Sequence, residues 1–157
     1  MDSHMSVTLQ PDDFDISSEL DALIGGRTSV GAAVTFTGLV RDMVKDQRIS
    51  AMTLEHYPAM AQAELERIEA EAHAKWPDLT DSRIIHRFGT LEPGDRIVLV
   101  ITLSSHRQVA FEAAEFIMDF LKTRAPFWKK ESLADGQSDW VKASLKDDEA
   151  LDRWKEQ

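Results

Sequence analysis

The segment SSHRQVAFEAAEFIMDFLKTRAPFWKKE, residues 104–131, decides the fold, because it holds in order a helix start, a buried helix, a break and a strand. From His106 to about Arg124, the residues Val109, Ala110, Ala113, Ala114, Phe116, Ile117, Phe120 and Leu121 recur at helical spacing. They cover much of the circumference, so this helix is predicted to be deeply buried. Pro126 prevents smooth continuation, and Ala125 before it is biased toward extended backbone. FWKKESL and DWVKASL then flank ADGQS, a glycine-containing turn, which predicts a β-hairpin.

Toward the N-terminus, RIVLVITL (96–103) and SRIIHRFG (82–89) read as strands on either side of TLEPGD, where Pro-Gly makes a tight turn. Pro58 suits the first turn of a second helix. In it Ala61, Leu65, Ile68, Ala72 and Trp76 form the apolar stripe, and Glu64, Glu66, Arg67, Glu69 and Glu71 are expected to face elsewhere. AMTLEHY (51–57) and VGAAVTFTGLV (30–40) read as strands, the latter ending near Gly38. RDMVKDQRIS (41–50), polar and mixed in charge, is predicted to be a mobile loop. DISSELDALIGG is a short helix capped by Asp15 and stopped at Gly25-Gly26, and SVTLQ (6–10) is a short edge strand. Strands and helices mix without regular βαβ alternation. The expected class is therefore α+β, with a mixed, largely antiparallel sheet, two main helices and a C-terminal β-hairpin.

A chain of 157 residues, 43% hydrophobic and 29% charged, suits one globular domain with a sizeable core. That domain is expected over residues 5–157, with 1–4 an expression remnant and about 146–157 a frayed tail. No apolar run approaches the ~20 residues of a membrane span, and no secretory signal is visible. Without cysteine there is no disulfide, thiolate nucleophile or cysteine metal site, all of which fits the cytoplasm. The formal charge of -10 comes from the ends: residues 1–21 hold six acids and no Lys or Arg, whereas 22–130 is balanced. A nucleic-acid binder would show a net basic domain, so the balance points away from that class and toward a local cationic pocket for a small anion. No HxxxH or HExxH pair supports zinc, and no nucleotide or hydrolase motif occurs.

The chemistry-bearing candidates are basic groups at element ends. Lys122 and Arg124 lie in the last turn of the buried helix, where the macrodipole alone favours cations by ~0.3–1 kcal/mol. Lys129 and Lys130 follow on the strand, where edge lysines also discourage aggregation. Strand alternation puts Lys129 on the face of Phe127 and Lys130 on that of Trp128, so Lys129 is the one expected beside apolar surface, poised for proton transfer or attack. His106 and Arg107 open the helix against its dipole, an arrangement that favours a bound anion. Arg41 follows the strand ending FTGLV. His86, on a predicted strand, reads as structural or surface.

AAVTFTGLVR, MTLEHYPAM, IIHRFGTLEPGD, SSHRQVAFEAAEFIMDFLKTRAPFWKKE and the later DWV together closely resemble the large, catalytic subunits of molybdopterin synthase, from roughly Val30 to Val141. LKTRAPFWKKE is the most specific element. The resemblance implies a hammerhead-like α+β fold and a sulfurtransferase that converts cyclic pyranopterin monophosphate to molybdopterin. The sulfur would come from the C-terminal Gly-Gly thiocarboxylate of a small ubiquitin-like partner, in a heterotetramer built on a dimer of large subunits. By motif, catalytic lysines fall on Lys122 and Lys129, and substrate contacts on Leu39, Val40, Arg41, His106, Arg107, Lys130 and Glu131. No metal, cofactor, nucleic acid or membrane is implied. Leu39 replaces a lysine of the family pattern, leaving only a backbone contact there, and Lys130 replaces an arginine, losing bidentate geometry. A non-catalytic scaffold and another phosphoanion-binding enzyme on the same fold stay open on the sequence.

Overall fold

The computed structural model describes residues 6–44, 46–133, 138–141, 152 and 154. At its centre is β7 (Arg96–Ser104), whose run of Val, Leu and Ile is buried on both faces. Period two divides it: Val98 and Val100 point to one layer, and Leu99, Ile101 and Leu103 to the other. β7 pairs antiparallel with β5 (Leu79–Arg87) on one side and β2 (Ala32–Leu39) on the other, and β1 (Val7–Gln10) adds parallel to β5. The order β1-β5-β7-β2 leaves β2 at an edge.

One face of this sheet carries α2 (Pro58–Lys75) and α3 (Arg107–Arg124), packed through Leu65, Ile68, Ala113 and Ile117, each fully buried. Burying each of the Leu and Ile side chains contributes about 1.5–3 kcal/mol. The other face carries α1 (Ile16–Ile24). Asp15 accepts from the Ser18 N–H at 2.9 Å, and Gly25, at φ 56°, closes the helix in the left-handed region that glycine occupies without strain. The α+β class, the mixed and largely antiparallel sheets and both main helices are as the sequence predicts.

A second sheet has the order β3-β4-β8-β9, from β3 (Met43–Val44), β4 (Gln47–His56), β8 (Phe127–Leu133) and β9 (Ser138–Val141), with β6 (Gly89–Leu91) also paired to β4. β8 and β9 form the expected hairpin. Val40, Met52, Leu54 and Leu91 form a third core where the two sheets meet, with Phe127 against it.

Three expectations need correction. Residues 41–50 are mostly strand, β3 and the start of β4, turning at Asp46 with φ 67°. The register of β4 against β8 shifts between Ile49 and Ala51, so the buried residues run Ile49, then Met52 and Leu54. That irregularity breaks the two-residue period that would have revealed the strand. Glu69 does not face solvent: it is buried and accepts from the hydroxyls of Ser6 and Ser82, each at 2.6 Å. Trp154, in the segment expected to fray, is buried, and its indole N–H donates to Asp119 at 2.6 Å. Residues 1–4, the 134–137 part of the hairpin turn and the rest of 142–157 lie outside the described residues.

Candidate functional site

α3 runs back along β7, so its C-terminal turn lies at the end of the molecule where β2 finishes and β7 begins. There the backbone breaks at Ala125 (φ -66°, ψ 128°), and Phe127 starts β8. β8 lies beside β4 with Phe127 opposite His56, Lys129 opposite Leu54 and Glu131 opposite Met52. Because Leu54 and Met52 are buried, Phe127, Lys129 and Glu131 share the inner face of the sheet. Trp128 and Lys130 share the outer face, opposite Glu55 and Thr53.

Phe127 is the middle ring of a stack. His86 lies on it at 4.1 Å between centroids and 12° between planes, and His56 follows at 5.6 Å and 25°. Phe88 packs on His56 at 4.3 Å. Burial pushes the His86 imidazole down to about 4, partly opposed by its hydrogen bond to the Arg87 carbonyl. The charges of Lys122 and His56 depress it further. Lys122 itself is exposed at the surface. It closes α3 just before the break, and Lys129 follows it on the same strand face as Phe127.

Arg124, two residues on from Lys122, has a different occupation. It bridges to Glu64 at 2.7 Å and Glu71 at 2.9 Å, both on α2, and lies over the Phe120 ring. It clamps the two long helices together.

Arg41 is exposed just past the end of β2. Val40 before it is buried; its N–H donates to the Asp95 carbonyl at 2.9 Å, and its own carbonyl accepts from Gly94 at 2.8 Å. Its side chain and both backbone groups are committed to the fold, so Val40 anchors Arg41. Leu39 is 55% exposed.

His106 and Arg107 are exposed at the opposite end of α3, with no side chain capping the helix start. Arg107 and Lys122 are separated along the helix axis by about 22 Å. Arg41 and His106 likewise stand at opposite ends of β2, a strand about 23 Å long. One chain therefore does not gather Arg41, His106 and Arg107 around one phosphate.

Sequence reasoning missed the stacking role of His56 and His86, because three separate strands bring these rings together and no local spacing signals it. An open cleft of about 430 Å³, lined by Glu55, His56, Tyr57 and Trp128, lies near the start of α2. Tyr57 meets Trp128 edge-on there, at 4.8 Å between centroids.

Comparison with known proteins places this geometry. The family model for the MoaE protein matches residues 9–124. The chain belongs to the MoaE family. The match includes Arg41, His106, Arg107 and Lys122; full-length relatives extend it through β8. The chain is 56% identical to the molybdopterin synthase catalytic subunit of Rhizobium meliloti (strain 1021), covering 98% of both chains. It is 50% identical to that of Brucella melitensis biotype 1, over 97% of this chain and 92% of the relative. Among solved structures, the molybdopterin biosynthesis MoaE protein from Burkholderia ambifaria MC40-6 superposes with a TM-score of 0.81 at 49% identity, covering 96% of this chain and 97% of that one. Family membership and fold thus agree over nearly the whole length.

Proposed function

We propose that the chain is the catalytic subunit of a molybdopterin synthase. It converts cyclic pyranopterin monophosphate to molybdopterin with sulfur from the C-terminal thiocarboxylate of a small ubiquitin-like partner. What carries this reading is membership of the MoaE family, supported by the placement of Lys122 in the last turn of α3 and of Lys129 on the strand face of Phe127, which stacks with His86 and His56. Two anions, a cyclic phosphate and a thiocarboxylate, must meet for sulfur to pass to the pterin side chain. Fixed cations in a site that excludes water stabilise that encounter. Lys122, at the exposed mouth, engages the thiocarboxylate. Lys129, half-buried beside Phe127, orients the intermediate or moves a proton. Arg41, with His106 and Arg107, binds the phosphate end, and Lys130 and Glu131 support the strand that carries Lys129.

The distances decide how many chains this takes. Arg41 and His106-Arg107 lie at opposite ends of β2, so a second copy must bring the missing pair. β2 is an edge strand without lysine or proline, and Phe36, Leu39 and Phe111 stand exposed on β2 and α3. Such an edge calls for a partner. Antiparallel pairing of β2 with β2 of a second copy, about a two-fold axis, sets the start of one strand beside the end of the other. His106 and Arg107 of one copy then approach Arg41 of its partner. A small subunit on each copy completes a 2:2 assembly.

The test is reconstitution: the chain, the thiocarboxylated partner and the pterin precursor, with molybdopterin measured. Wild type is expected to incorporate sulfur, and Lys122→Ala to lose at least about 100-fold in rate, the scale of removing one such stabilising group. Near-normal product from Lys122→Ala would remove the central assignment. Partner binding without sulfur incorporation by the wild type would favour the scaffold.

A further inference from the structure

Given the sulfur-transfer function proposed above, on which this role rests, we infer that the cleft beside β8 docks an arginine side chain of the small partner. Its walls are two rings at right angles and one carboxylate. Tyr57 meets Trp128 at 4.8 Å between centroids and 89° between planes. Glu55 stands directly opposite Trp128 across the β4–β8 ladder, so both side chains share the outer face of the sheet. These three line the open cleft of about 430 Å³ together with His56, whose ring is already taken by Phe88 and Phe127. Backbone sets the arrangement in advance. Pro58 biases Tyr57 toward its extended conformation (φ -97°, ψ 111°) at the start of α2, and ladder pairing fixes Trp128.

The chemistry of the walls names the occupant. The faces of Trp and Tyr rings attract a cation. Glu55, exposed beside them, makes no hydrogen bond or ion pair among the described residues. Lys130 stands two positions further along the same face, opposite Thr53 and outside the lining. A guanidinium suits these walls better than an ammonium, because its plane lies flat on one ring while its edge forks onto a carboxylate.

Exposure indicates that the cation arrives on a protein. Tyr57 is 60% exposed, Met60 three residues on is 57% exposed, and Trp128 is 43% exposed. Large apolar side chains left this open mark a protein contact, and Tyr, Trp and Met are among the types enriched in one. Position then picks the partner. Trp128 lies between Phe127 and Lys129 on β8, six residues beyond Lys122. A carrier whose tail reaches those lysines rests its folded body on the surface beside them, where the cleft opens.

The test is the affinity of the chain for the small partner with an ordinary C-terminal carboxylate, measured by titration calorimetry, so it needs no turnover. Trp128→Ala and Glu55→Gln are each expected to raise Kd about tenfold, the scale of a desolvated cation–π or charged contact. Trp128→Ala also removes packing from β8, so the decision falls to Glu55→Lys, which leaves both rings in place and should weaken binding at least as much. Changing the partner's arginines to glutamate one at a time should restore binding to Glu55→Lys at one position, an exchange that a merely structural Glu55 would not show. A wild-type Kd for Glu55→Lys, or no restoring arginine, would overturn the inference. So would loss of the chain's own dimer in Glu55→Lys with partner affinity unchanged, which would make a second copy the occupant. Charge exchange in a wild type that makes no molybdopterin would count against the proposed function alone. Normal molybdopterin formation with a Kd indifferent to Glu55→Lys would count against the cleft alone.

Discussion

Gly31 sits where β2 begins, its N–H donating to the Ser104 carbonyl at 3.0 Å, and a β-carbon there would overlap the Ser105 carbonyl oxygen. Both sides of that contact are backbone, so neither can swing away. We expect Gly31→Ala to cost about 1–3 kcal/mol, as overpacking does, and to lower Tm by about 2–4 °C per kcal/mol in a melt followed by circular dichroism. The strain would fall on the turn that presents His106 and Arg107. Nothing local in VGAAV marks this glycine, because the constraint comes from a residue more than seventy positions away. The positions of Lys122 and Arg41 were legible because their element ends were legible. The division of labour between Lys122 and Arg124 was not: it depends on Glu64 and Glu71 of another helix. At His86 the pH dependence has a definite sign. Its folded value of about 4 lies below the ordinary 6.5, so its contribution to stability is present above pH 6.5 and is lost as pH falls toward 4. Wild type should therefore lose Tm over that window more steeply than His86→Phe.

Among the elements, α2 shows how a good helical pattern can still misplace one residue. Glu69 lies four residues after Leu65 and three before Ala72, both fully buried, so it falls within the apolar stripe despite its charge. Two serine hydroxyls make that tolerable, Ser6 just before β1 and Ser82 on β5, with His73 bonded to Ser82 at 2.8 Å. Both serines lie outside α2, beyond the reach of its own periodicity. Burial raises the Glu69 carboxyl above its ordinary 4.5, against the two serine hydrogen bonds and the charge of His73 that favour ionisation, while the charge of Asp81 raises it further. A raised acid contributes stability that is complete below about pH 4.5 and lost as pH rises through the folded value. The isosteric Glu69→Gln has no such loss. The Tm of the variant minus that of wild type should grow between pH 4.5 and 7, and a difference that stays flat or shrinks would show that the network pays no cost for its charge. β4 is the complementary failure: its second half reads as a strand in sequence, but its start is hidden by one irregularity in register.

For the whole molecule, the order of the strands matters more than their identity. The sequence announces a mixed, largely antiparallel α+β chain, yet periodicity does not say that β2 ends up at an edge or that α3 runs antiparallel to β7. Those two facts separate Arg107 from Lys122 and Arg41 from His106 within one chain, and in the proposed assembly they make the site a composite of two copies. The consequence can be read without a structure of the complex. Lys122→Ala and Arg107→Ala each remove one half of the site and should each abolish most activity as homodimers. If the halves come from different copies, a dimer with one chain of each kind contains one intact site and one doubly damaged site. Co-refolding equal amounts places half of the dimers in that mixed state. Activity should then return to about a quarter of wild type, the statistical yield for a two-fold dimer with sites shared across its axis. If each chain instead builds its own site, every site in the mixture carries a lesion and no recovery occurs. Simple mixing of folded homodimers should recover activity only as fast as subunits exchange, which distinguishes shared sites from residual activity of either variant.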